Sequence, residues 1–89
     1  MKWRQSRDRE DIISSILRSA ARTEGVMKTR IMYNSLLSYT QLTEYLEYLM
    51  TNKLLDYDRA SKLYYTTSKG LDLLNLYNKL DNMAFFANE

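Results

Sequence analysis

Lys28, Thr29 and Arg30 form a compact basic run, and shortly after it Ser38 leads Gln41 by three positions within LSYTQ. These residue types hold anions rather than transform molecules. Ammonium and guanidinium groups bring charge and N–H donors, and the open first turn of a helix adds backbone N–H groups aimed the same way. Tyr39 and Thr40 bring hydroxyls, Gln41 an amide, and Glu44 an acceptor one turn further on. A second basic pair, Arg59 and Lys62, brackets a short polar stretch later in the chain. Catalysis asks for a nucleophile with a base, or for clustered carboxylates. With no histidine, no cysteine and acids scattered along the chain, the sequence predicts no enzymatic step, no metal site and no cofactor.

What must position these groups is small. At 89 residues there is room for one core and no second domain. Hydrophobic residues make up 45% and charged residues 27%, a globular balance too apolar for a disordered tail. Without disulfides, added stability has to come from packing or from a partner subunit. No apolar run reaches the roughly 20 residues of a spanning helix, and the N-terminus is charged, so a soluble, cytoplasmic protein is expected. The formal net charge of +2 is unevenly placed: residues 1–30 carry eight Lys or Arg against four acids, whereas residues 31–60 are net acidic. A basic N-terminal third suits a polyanion, and equally a solvated helix start.

There is no proline, and the two glycines, Gly25 and Gly70, punctuate the pattern. Ile12, Ile13, Ile16, Leu17, Ala20 and Ala21 recur at helical spacing behind Asp8, Glu10 and Asp11, which predicts a first helix over about 9–23. A short second helix follows over Lys28 to Ser35, burying Ile31 together with Met27 and Met32. Ser38 and Gln41 then form a capping box, with Leu37 and Leu42 as the matching hydrophobic staple. The third helix therefore starts at Tyr39 and ends near Asn52, with Leu42, Tyr45, Leu46 and Leu49 inward and Thr40, Gln41, Glu44, Glu47 and Tyr48 outward. LLDYD and KLYYTT read as a hairpin turning around Arg59, Ala60 and Ser61. Thr67 caps a last helix with more apolar positions than one face requires. Leu71 and Leu74 are expected to close the core, while Leu73, Leu76, Leu80, Met83 and Ala87 step by threes and fours as a pairing seam for a second chain.

With three helices, a hairpin and a long last helix, KTRIMYNSLLSYTQLTEYLEYLM, the hairpin and TTSKGLDLL together resemble a family of small archaeal winged-helix DNA-binding proteins. The resemblance spans roughly residues 11–80, and its more specific part is KTRIMY followed by LSY. It implies a mainly α winged helix-turn-helix with a small β-hairpin, binding of double-stranded DNA without catalysis, and a homodimer formed by antiparallel last helices. The expected division is a basic N-terminal arm over 1–10, a winged helix-turn-helix over 11–67 and a dimerisation helix over 68–89. Carried over by position, Lys28, Thr29 and Arg30 start the second helix, and Ser38, Tyr39, Thr40 and Gln41 start the recognition helix.

On that frame Lys28 and Arg30 are candidate phosphate contacts, Tyr39 offers a hydroxyl to a phosphate, and Thr40, Gln41 and Glu44 are candidates for base edges. Arg59 and Lys62 fit a wing straddling the backbone, as they also fit any soluble turn. The third helix departs from the usual recognition helix: no Lys or Arg occurs between Arg30 and Lys53, and Glu47 would repel phosphate. Lys2, Arg4, Arg7 and Arg9 suit a groove-tracking arm or a plain tail, and Trp3 an anchor or a partner contact. Most of the eight tyrosines, Tyr45, Tyr57 and Tyr64 or Tyr65 among them, are expected to fill the core. The acidic helix also leaves open a winged helix that meets a protein partner and no DNA.

Overall fold

The computed structural model describes the backbone of residues 8–87 and the side chains of residues 8–80. Lys2, Trp3, Arg4 and Arg7, and the side chains of Met83 and Ala87, lie outside the described residues. The chain order is α1 (Arg9–Ser19), β1 (Val26–Met27), α2 (Lys28–Ser35), α3 (Tyr39–Thr51), β2 (Leu55–Asp58), β3 (Leu63–Thr66) and α4 (Ser68–Ala87). The strands form one antiparallel sheet in the order β1-β3-β2. This is the mainly α winged helix-turn-helix expected from the sequence, with a three-stranded sheet where a bare hairpin was expected.

Local signals set most boundaries. Asp8 caps α1 by accepting from the Asp11 N–H at 2.9 Å, so Arg9, expected in the arm, is the first residue of α1. Ser38 Oγ accepts from the Gln41 N–H at 3.2 Å, and Gln41 Oε1 accepts from the Ser38 N–H at 3.1 Å, completing the capping box. Thr67 Oγ1 accepts from the Gly70 N–H at 3.0 Å and caps α4.

One core joins the layers, centred on Ile16 and Leu17 of α1, Ile31 of α2, Leu42 and Leu49 of α3, and Leu55 of β2. Polar stitches hold α1 to α2: Asn34 Nδ2 donates to Ser19 Oγ at 2.9 Å, and Ser15 Oγ reaches the fully buried Ser35 hydroxyl at 3.4 Å.

Four expectations need correction. The first helix stops at Ser19 rather than near residue 23, because β3 takes its last carbonyls: the Thr66 N–H donates to Ala20 O and the Thr66 hydroxyl to Leu17 O. Met27 is exposed, since it alternates with buried Val26 along β1, a strand too short to carry a period in sequence. Tyr57 is exposed as well, lying on Tyr64 with ring centroids 4.5 Å apart. Leu71 is 42% exposed while Leu74 is 7% exposed. Gly70 packs on Leu54, and Leu74 and Tyr77 continue the inward stripe, so Leu71 lies about 100° around the helix from its centre. Leu73 is half-buried against the protein's own core, whereas Leu76 and Leu80 stand outside, 51% and 52% exposed.

Candidate nucleic-acid interface

The site begins at the junction of α2 and α3. Ile31 and Ser35, four positions apart, are the buried residues of α2, and Leu36 then reverses the chain in the left-handed conformation, φ 56°. The capping box fixes where α3 begins and so where its first-turn N–H groups point. Across this junction Lys28 Nζ donates to the Tyr39 hydroxyl at 3.0 Å and lies 4.3 Å from the centre of the same ring. The first residue of α2 is thereby seated on the first residue of α3.

The pairing has an electrostatic consequence. The hydrogen bond to Tyr39 raises the Lys28 pKa above its ordinary value, and the same bond lowers that of Tyr39. Lys28 therefore stays fully charged at neutral pH. The Tyr57 and Tyr64 phenols lie within longer electrostatic reach of the same ammonium and favour its charge in the same sense.

Thr29 and Arg30 face elsewhere. They line an open cleft with Arg22, Glu24, Met27, Tyr33 and Leu63, between the end of α1, the edge strand β1 and the outer side of α2. Successive helical residues are rotated by about 100°, so Lys28 and Arg30 occupy opposite flanks of the α2 start. Arg22 joins this cleft from the loop after α1, a position without motif or periodicity to mark it.

Along α3, Thr40, Gln41, Glu44 and Glu47 are all exposed. The amide oxygen of Gln41 is committed to the capping box, which leaves its NH₂ end as the polar group pointing outward. Tyr48, one turn beyond Glu44, receives the Arg9 guanidinium over its ring at 4.6 Å from the centroid. Arg9 thus acts as a strut between α1 and α3.

The wing is a tight, self-supported turn. Asp58 accepts from the Ala60 N–H at 3.2 Å and from the Ser61 hydroxyl at 2.7 Å, while the Lys62 N–H donates to Asp58 O at 2.7 Å. The Ser61 hydroxyl, followed by the Ala60 N–H, holds the Asp58 carboxyl below its usual range. Arg59 and Lys62 are exposed around this turn, Lys62 in the left-handed region with φ 62°. Among the described residues no cluster of acids could hold a metal ion, and no helix is long and apolar enough to cross a membrane.

Three helices closed by a β-hairpin, with a capped third helix and a cation at its mouth, define a winged helix-turn-helix module. The chain belongs to the winged helix-turn-helix family, whose model matches residues 6–85. It is similar in structure to Sso10a-2, a DNA-binding protein from Sulfolobus solfataricus, with a TM-score of 0.69 and 25% identity over 92% of this chain and 90% of that one. Among curated proteins none matches in sequence.

Proposed function

We propose that the protein binds double-stranded DNA as a homodimer, in the cytoplasm and without a catalytic step, as a transcription regulator or an architectural chromatin factor. The observation that carries this reading is the Lys28–Tyr39 contact, which places a charged ammonium at the mouth of capped α3. A phosphate there would meet Lys28, the Tyr39 hydroxyl and the first-turn N–H groups together. Thr40, the amide of Gln41 and Glu44 follow along the exposed face as base-edge candidates, and Arg59 and Lys62 extend the contact from the wing. The DNA-binding description of the Sulfolobus relative supports the same reading.

For the dimer, the support is the flank of α4 that carries Leu76 and Leu80, two large apolar side chains about half exposed among the described residues. Met83 and Ala87 would extend the seam toward the C-terminus, while half-buried Leu73 would sit at its inner margin. A two-fold axis then sets two recognition helices at half-sites about one helical turn apart or a multiple of it.

A second reading rests on the exposed Glu44 and Glu47 of α3: a winged helix that meets a basic protein surface and no DNA. Fluorescence anisotropy on a random duplex across a salt series separates the two. DNA binding predicts an affinity that falls steeply with salt, and immeasurable binding at low salt favours the protein partner.

A further inference from the structure

The cleft that holds Arg22 and Arg30 measures about 480 Å³ and opens to solvent. Two guanidinium groups reach it from different parts of the chain, the loop after α1 and the outer side of α2, and Thr29 and Tyr33 add hydroxyls. Two planar forks and two neutral donors lining one cleft suit the oxygens of a phosphodiester, and the apolar surfaces of Met27 and Leu63 suit the adjoining sugar. The cleft holds one acid. Glu24 Oε2 accepts from Arg22 Nη1 at 3.4 Å, and both side chains are more than half exposed. An exposed ion pair of that kind contributes little and is readily exchanged for another anion. A strand crossing the start of α2 would meet Lys28 on one flank and Arg30 on the other.

We infer that this cleft is a second phosphate seat for the bound duplex, in which Arg22 and Arg30 take a backbone phosphate and Glu24 occupies Arg22 until DNA displaces it. The seat rests on the DNA-binding reading and adds Arg22 and Glu24 to it. Glu24 thereby sets the affinity from below, as a built-in competitor for the site.

Anisotropy titrations of a labelled random duplex test this with the full chain, its Arg22→Ala, Arg30→Ala and Glu24→Gln variants, and Lys79→Ala as a charge-matched control on exposed α4. Each arginine variant is expected to bind about three- to tenfold more weakly and to flatten the slope of log affinity against log salt by roughly 1, the amount one phosphate contact contributes. Glu24→Gln is expected to bind about two- to threefold more tightly. Wild-type slopes in both arginine variants, or losses no larger than that of Lys79→Ala, would overturn the seat while leaving DNA binding intact. No binding by the wild type would instead remove the DNA reading itself. Adding inorganic phosphate alone at constant ionic strength distinguishes a free-anion site: shifts of the Arg22 and Arg30 Nε–H resonances, with unchanged duplex slopes, would reassign the cleft and overturn the proposal.

Discussion

Gly70 packs directly against the backbone carbonyl of Leu54, with the Thr66 methyl group 2.6 Å from where its own Cβ would stand. The same few residues tie α4 to the end of α3: the Thr67 hydroxyl donates to Lys53 O at 2.7 Å, and Lys69 Nζ donates to Asn52 O at 2.9 Å. TTSKG therefore works as a clasp between the end of α3 and the last helix. A backbone carbonyl cannot swing aside as a side chain can. Gly70→Ala should cost about 1–3 kcal/mol despite alanine's better helix propensity. In a domain this small that is a fall in melting temperature of roughly 4–8 °C per kcal/mol, measurable by circular dichroism.

Leu36 places a large side chain, 80% exposed, on a left-handed backbone between α2 and α3. Little packing is lost on replacing it, and asparagine tolerates φ near +56° better than leucine. Leu36→Asn should raise stability by up to about 1 kcal/mol, read from the urea midpoint with an unchanged slope. A loss of stability would show that Leu36 is held by a contact in the assembled protein.

The wing should respond to acid. Because Asp58 has a lowered carboxyl pKa in the folded state, its contribution to stability is present above the unfolded value, near 3.8, and is lost as pH falls through the folded value. The leading cause is the Ser61 hydroxyl. Ser61→Ala should therefore move the Asp58 titration upward, toward 3.8, in a carboxyl-carbon NMR titration.

Lys28 and Tyr39 should separate into charge and orientation. Lys28→Ala is expected to flatten the salt slope of duplex binding by about 1, as one lost phosphate contact does. Tyr39→Phe keeps the ring under the ammonium and loses the hydroxyl. It should weaken binding only a few-fold, about tenfold at most, with a nearly unchanged slope.

The flank of α4 predicts oligomeric state. Leu76→Glu with Leu80→Glu places charge on two exposed positions, so the monomer fold should survive with a normal helical spectrum. Light scattering should then report one chain in place of two, and duplex affinity should drop as the paired half-sites act singly. A dimer that persists would locate the pairing surface elsewhere.

Features that depend on neighbours along the chain were readable without coordinates. Ser38 and Thr67 cap helices because the groups they satisfy lie three residues away, and the spacing of Leu42, Leu46 and Leu49 reports a buried stripe for the same local reason; Asp8, read as a first-turn acid, proves to be the cap of α1. The helix start at Tyr39 follows from such a signal, whereas α2 begins at Lys28 with no side-chain cap. What only the folded chain decides are contacts between residues distant in sequence. β1 exists because Val26 and Met27 find Tyr64 and Leu63; α1 stops early because Thr66 takes its carbonyls; and Leu71 turns outward because Leu54 lies under Gly70. The basic run at Lys28–Arg30 reads in one dimension as a single patch, yet helical rotation sends Lys28 to Tyr39 and Arg30 to the cleft that Arg22 also lines. A linear sequence records which charges are present, whereas the direction each one faces is set by the packing of the helix that carries it.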